Sequence, residues 1–242
     1  MNQEQTVFTI QKNIMQVYSR FLLNIDIQFE EALPQGPKLL VVNHPTTTDP
    51  FLLSLLVNEP ICMLITGMAF EVPLLGKALQ AGGHIAVSKL EEGGHGVVNQ
   101  AVSKLAQGKT IGIFPEGALS PAIGEFCEPR SGAARIALLS GVPVIPVGIY
   151  LSHNAYIEKK LNTKNYADMA RWACRGDYFV TVGKARQYQG NVQDRDFVRS
   201  LGRSMMADIA GQVQKSKERM LFQQPQEVSK KLFLRLRRVL SF

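Results

Sequence analysis

Apolar residues along this chain fall into two alternating patterns. Short, nearly continuous runs read as buried strands: Leu39-Leu40-Val41-Val42, Ile61-Cys62-Met63-Leu64-Ile65, Ile85-Ala86-Val87 and Thr110-Ile111-Gly112-Ile113-Phe114. Between them the apolar positions recur at helical spacing. Val7, Ile10, Ile14, Val17 and Phe21 predict an amphipathic helix over 5–23. Phe51 to Leu56 predicts a second helix, with Asp49 as its N-cap and Pro50 at its first position. Further helices are expected near 73–80, over 96–107 up to Gly108, over 131–140 up to Gly141, and over 194–221. Late strands are expected at 142–149 and 178–183. Pro143 and Pro146 would make the first of these an edge or bulged strand. Leu33-Pro34-Gln35-Gly36-Pro37 reads as a turn. Strands that are apolar throughout and alternate with helices predict an α/β fold: a single domain with a central, mostly parallel sheet flanked by helices.

Three regions are expected. Residues 1–30 form an N-terminal amphipathic helix region, 31–222 the main domain, and 223–242 a basic amphipathic tail. From Glu227 onward, Lys230, Lys231, Arg235, Arg237 and Arg238 alternate with Val228, Leu232, Phe233, Leu236, Val239, Leu240 and Phe242. On a helical wheel the apolar and basic residues mostly separate, with Leu234 misplaced. That is the composition of a helix lying in an anionic membrane interface, with a solvated terminal helix packed on its own domain as the alternative.

Composition narrows the partners. A hydrophobic share of 45% over 242 residues supports a full core and excludes a disordered chain. The net charge of +7 favours anionic partners. Nucleic acid is not expected among them, because the basic residues cluster at the C-terminus without an RNA-binding aromatic motif. Cys62, Cys127 and Cys174 lack CxxC spacing, which points to free thiols in a reducing compartment and to no zinc site. Met1 to Thr6 has no basic n-region, so no cleavable signal peptide is expected. No apolar run approaches the ~18 residues of a membrane span. A membrane contact would be peripheral.

The candidate chemistry begins at Asn43-His44-Pro45-Thr46-Thr47-Thr48-Asp49. His44 follows a buried strand and Asp49 opens a helix, so a turn between them can fold the imidazole back toward the carboxylate. That arrangement suits a general base with an orienting acid. By spacing alone the pair is a weak signal, and its context strengthens it. The second piece is Ile113-Phe114-Pro115-Glu116-Gly117, which puts Glu116 at the end of a buried strand, where α/β sheets bind ligands. Gly117 permits close backbone approach there. The third is Val142-Pro143-Val144-Ile145-Pro146-Val147. His84, in Gly82-Gly83-His84, reads as structural, His95 and His153 as loop residues, and Cys62 and Cys127 as buried small hydrophobes. Trp172, between Arg171 and Arg175, reads as an interfacial anchor or as part of a surface helix.

In order and spacing these pieces resemble the phospholipid and glycerol acyltransferase family, which includes the bacterial 1-acylglycerol-3-phosphate acyltransferases. That family carries NHxxxxD, a Gly-rich strand segment ending in arginine, FPEGTRS and a VPxxPV-type strand. The resemblance covers roughly residues 36–185. It implies that His44 takes the proton of an acceptor hydroxyl while Asp49 orients it, and that the hydroxyl attacks an acyl-CoA or acyl carrier protein thioester. It implies no covalent acyl-enzyme, no cofactor beyond that co-substrate and no metal. It also implies a lysophospholipid acceptor, most simply 1-acylglycerol-3-phosphate, and a peripheral site on the cytoplasmic side of an anionic membrane. Glu116, Gly117, Lys89 and Arg130 are the implied acceptor-binding residues. Two positions depart from the pattern. The second motif ends in Lys89 where arginine is usual, and Leu119 replaces the arginine of the third. Lysine offers a point charge without a bidentate fork, and leucine offers none. Arg130 and Arg135, flanking Ser131-Gly132, are the candidate replacements. An acceptor with a different head, such as a glycolipid or an amino-acid lipid, and a non-catalytic lipid-binding role are the alternatives that the departures raise.

Overall fold

The apolar runs become the inner strands of one sheet. The structure is a computed structural model, which describes residues 3–87, 95–152, 156–163 and 166–239. In chain order the elements are α1 (Gln3–Phe21), β1 (Leu23–Phe29), β2 (Leu39–Val42), α2 (Asp49–Leu52) with a 3-10 turn over Leu53–Leu55, β3 (Ile61–Thr66), α3 (Gly67–Glu71), α4 (Leu75–Ala81), β4 (Ile85–Val87), α5 (His95–Ala106), β5 (Thr110–Ile113), α6 (Gly132–Ser140), β6 (Val144–Leu151), β7 (Tyr156–Thr163), β8 (Tyr166–Ala173), β9 (Gly176–Val182) and α7 (Arg195–Val239). Seven strands form the main sheet in the order β1-β9-β6-β2-β5-β3-β4, and β7-β8 form a separate hairpin. The five strands from β6 to β4 run parallel to one another. β9 is antiparallel to β6, and β1 is parallel to β9. The expected mostly parallel α/β sheet is therefore present. β2 lies at its centre with all four residues buried, as its apolar run requires.

Several expectations change. Residues 23–29 lie within the presumed helical region, yet they form β1 and pair with β9 from Leu23↔Gly176 to Phe29↔Val182. The alternation Leu23-Asn24-Ile25-Asp26-Ile27-Gln28-Phe29 is the period-2 signal of such a strand. β6 is not an edge strand, since it sits between β9 and β2. Its prolines are accommodated locally. Pro143 precedes the strand, and its carbonyl accepts from Leu39 N at 2.9 Å. Pro146 falls where the ladder to β9 is irregular: Val147 pairs with Val182, but the next bridge is Val144↔Arg186. Two residues on β6 there face three on the other side, which removes the need for a donor at Pro146. Residues 166–173 are strand β8, so Trp172 is on a hairpin and not on a surface helix. His95 opens α5 and is not a loop residue. The helix expected over 194–221 continues without a break to Val239, so no change of backbone marks residue 223. The tail's side chains from residue 224, together with Lys89 and His153, lie outside the described residues. No helix among the described residues is long and apolar enough to cross a membrane.

Two contacts fix the sheet's faces. α7 crosses β6 with its backbone at Gly148, where a Cβ would meet Val213 N at 2.1 Å. Only glycine permits that approach. On the other edge, His84 accepts a hydrogen bond from Met63 N through Nδ1 at 3.0 Å. Burial, reinforced by the Lys104 charge, pushes its pKa down from 6.5 to about 4. The folded protein thus holds His84 neutral, while the unfolded chain takes up a proton near pH 6.5. The stabilisation is complete above that pH and is lost as pH falls toward 4. Between pH 7 and 4.5 the wild type should lose about 2 kcal/mol of unfolding free energy that His84→Asn does not lose, as read from urea midpoints at the two pH values. Asparagine keeps an acceptor near the Nδ1 position without titrating.

Candidate active site

The carboxyl ends of β2, β5 and β6 lie side by side. The register Val41↔Ile113 places the residues three further along, His44 and Glu116, across from each other. The His44 backbone N–H donates to Glu116 Oε1 at 3.0 Å. Just before it, the Asn43 side chain continues the sheet in place of backbone: Nδ2 donates to Ile149 O at 2.9 Å, and Oδ1 accepts from Ile149 N at 2.7 Å. The loop therefore leaves β2 in a fixed direction.

The expected turn is present. Asp49 N donates to Thr46 O at 3.2 Å, and His44 Nδ1 lies 3.1 Å from Asp49 Oδ2. Asp49 does not act as the helix cap. It is the first residue of α2, Thr48 holds the cap position, and the carboxylate turns inward. Asp49 is fully buried. It receives Thr46 N at 2.7 Å on Oδ2, and Thr46 Oγ1 at 2.5 Å and the Tyr178 hydroxyl at 2.6 Å on Oδ1. Burial beside Asp49 raises the Tyr178 pKa well above its usual value, so the phenol keeps its proton and donates it. With both oxygens bonded this way, the buried Asp49 side chain is fixed in place as the partner of His44 Nδ1. The ring stacks on Phe114 at 4.0 Å between centroids, with the planes 14° apart. His44 is 18% exposed, and among the described residues no group bonds Nε2. That nitrogen is the one available to an incoming hydroxyl.

Glu116 follows β5. It is buried, and both oxygens are occupied: Oε1 takes His44 N and, at 2.7 Å, Ser120 Oγ, while Oε2 takes Cys127 N at 2.8 Å. Ser120 N also donates to His44 O at 2.8 Å. Glu116 thus ties the histidine loop to the loop after β5. Gly117 has φ +64, and a Cβ there would lie 2.5 Å from Arg130 Nε, so the exposed Arg130 side chain lies directly on the glycine. Among the described residues, no cluster of His, Cys, Asp and Glu is arranged to hold a metal ion.

Two contributors were missed from sequence. Tyr178 lies in a strand that carried no polar signal. Arg171, 5% exposed, belongs to the hairpin that helical reading obscured. The hairpin docks on the threonines of the loop: Thr47 N donates to Arg171 O at 2.7 Å, Arg171 N to Thr47 Oγ1 at 3.1 Å, and Ala173 N to Thr48 Oγ1 at 3.1 Å. The sequence Asn162-Thr163-Lys164-Asn165 was the available turn signal for this hairpin.

A His–Asp pair with its aspartate buried lies at the carboxyl end of the parallel strands, next to a carboxylate–glycine turn, and this geometry suits a general base on an α/β scaffold. The Acyltransferase family profile matches residues 24–150, and the chain belongs to that family. It is 24% identical over 138 residues to a 1-acyl-sn-glycerol-3-phosphate acyltransferase of Borreliella burgdorferi, a match covering 56% of this chain and 55% of that protein. It is 26% identical over 141 residues to the protein of the same description from Helicobacter pylori, covering 58% and 60%. The matched stretch thus spans little more than half the length of these curated relatives. The fold is also that of the crystal structure of the 1-acyl-sn-glycerophosphate (LPA) acyltransferase PlsC from Thermotoga maritima, with a TM-score of 0.53, 17% identity, and coverage of 83% of this chain and 77% of that one.

The bonding at Glu116 gives a test. Glu116→Gln replaces one acceptor with an NH₂ that faces a donor. It should cost about 1–3 kcal/mol of stability and lower turnover, while the acceptor KM stays within about twofold. A KM rise without loss of stability would instead mark direct acceptor contact.

Proposed function

We propose that this chain transfers a fatty acyl group from acyl-CoA or acyl carrier protein to the free hydroxyl of a lysophospholipid, with 1-acylglycerol-3-phosphate the foremost acceptor. The observation that carries the reading is the pairing of His44 Nδ1 with the fully buried Asp49, which leaves Nε2 for substrate. Nε2 takes the hydroxyl proton as the oxygen attacks the thioester carbonyl carbon. Asp49 fixes the tautomer and stabilises the imidazolium. The tetrahedral adduct then expels the thiolate, which recovers the proton from His44, giving ester and free thiol. No protein nucleophile or metal enters this scheme.

The acceptor side is formed by the turn at Glu116 and Gly117 and by the cation beside it. Glu116 acts through the loop that it holds. Arg130 lies on Gly117, next to the position where Leu119 stands in place of an arginine, and supplies a guanidinium for the acceptor phosphate. Lys89 adds a second charge in this proposal. The enzyme works on an anionic membrane surface, on its cytoplasmic side. That placement is supported by the outer face of α1, where Ile10, Ile14, Val17 and Phe21 are all exposed, by the basic composition of the tail, and by three free cysteines. Leu119 favours a second reading, in which the acceptor head lacks a phosphate.

Two measurements check the proposal. His44→Ala should lower acyl transfer by ~10²–10⁴-fold with the fold intact by circular dichroism. Near-full activity in that variant would refute the mechanism. Arg130→Ala should raise the KM for lysophosphatidate by about tenfold or more and leave a phosphate-free monoacylglycerol unaffected. Equal use of the two acceptors by the wild type would favour the second reading.

A further inference from the structure

We infer that Arg171 is a positioning residue that fixes the base loop against the acceptor loop and thereby couples thioester opening to acyl transfer; the inference rests on the acyltransferase reading above. Its guanidinium donates to the carbonyls of Pro45 at 2.8 Å and Ser120 at 3.2 Å through one terminal nitrogen, and to that of Pro121 at 3.2 Å through the other. Nε donates to Glu158 Oε1 at 2.7 Å. Pro45 follows the base, His44, in the chain. Ser120 and Pro121 follow the Glu116-Gly117 turn. One side chain, carried by a third element, therefore bridges the two loops that must meet in the reaction.

Arg171 does not serve as a substrate-binding cation. It is buried, four of its hydrogen bonds go to protein groups, and its ring-facing side lies 5.2 Å from the centre of Tyr156. Its backbone is also paired with Thr47, so the guanidinium is delivered from a fixed origin. The Pro45 and Ser120 carbonyls are bonded out of water and that of Pro121 is partly so, and a planar fork supplies donors to all three at two separate nitrogens. A lysine brings one nitrogen and cannot span the same set. Releasing the bridge lets the acceptor loop drift relative to Nε2. A displacement of about 1 Å in such a site costs on the order of 10²-fold in rate. Water is small enough to need no such alignment. It can still attack the carbonyl through His44, giving free fatty acid and thiol.

The test uses the full chain with acyl-CoA and lysophosphatidate in mixed micelles. Ester formed and free fatty acid released are measured in wild type, Arg171→Lys, Arg171→Ala, Glu158→Gln and His44→Ala. Arg171→Lys should lower kcat for transfer about 10²-fold, change the acceptor KM by less than about threefold, and raise the ratio of hydrolysis to transfer by at least about tenfold. Glu158, which is part-exposed and bonds only Nε, should matter far less when changed to Gln, by less than about fivefold. Millimolar guanidinium, but not ammonium, should restore part of the transfer lost in Arg171→Ala. Transfer and hydrolysis falling together in proportion to the folded fraction would overturn the inference and make Arg171 merely structural. So would a fully active Arg171→Lys in a preparation where His44→Ala is dead, and the acyltransferase reading would survive that result. A wild type that forms no ester from either donor class would overturn the reading and this inference with it.

Discussion

The site depends on a carboxyl group held out of water. Asp49 has no exposure, and a polar side chain buried there needs hydrogen-bond partners. It is sustained by donors from three sources: the Thr46 backbone and hydroxyl on its own loop, Tyr178 from β9, and the His44 ring. Each donor is also a geometric constraint. Tyr178 requires β9 in place, β9 requires β6, and β6 receives the Asn43 side chain that aims the loop. The order of the sheet is thus coupled to the orientation of one imidazole.

The three consecutive threonines show how local chemistry and tertiary structure share the work. Thr46 serves the carboxylate, Thr47 bonds the backbone of Arg171, and Thr48 takes the N–H of Ala173. In a sequence they look like a polar loop. In the fold each hydroxyl faces a different partner, and two of the three partners lie more than 120 residues away in the chain. A short hydroxyl side chain can do this because it both donates and accepts without adding charge.

What could be read from the chain follows from this division. The parallel core was legible because its strands are buried on both faces and so apolar throughout, as with Leu39 to Val42. The His44–Asp49 pair was legible because its members stand five residues apart at a single strand–loop–helix connection, flanked by clear strand and helix patterns. β1 was overlooked although its alternation is regular, because it adjoins a helix with a stronger period. Tyr178, Arg171 and the inward turn of Glu116 were hidden for another reason. They depend on which distant segment comes to lie on the loop, and a buried arginine looks the same in sequence as an exposed one. Asp49 misled as a helix cap for the same cause: capping is the local use of an aspartate, and a tertiary use displaced it.

The antiparallel course of β9 has a consequence for how such a site can change. β6 ends, and β9 begins, at the same rim of the sheet, at Leu151 and Gly176. The β7–β8 hairpin is therefore an insertion with both its stems at the rim and its outer residues, Ile157 and Trp172, facing away. A longer, shorter or differently charged hairpin would leave the strand order and the base loop's exit from β2 untouched. Only the outward side of the hairpin is free to vary in this way, because its inward side carries the Arg171 and Ala173 contacts that hold the base loop.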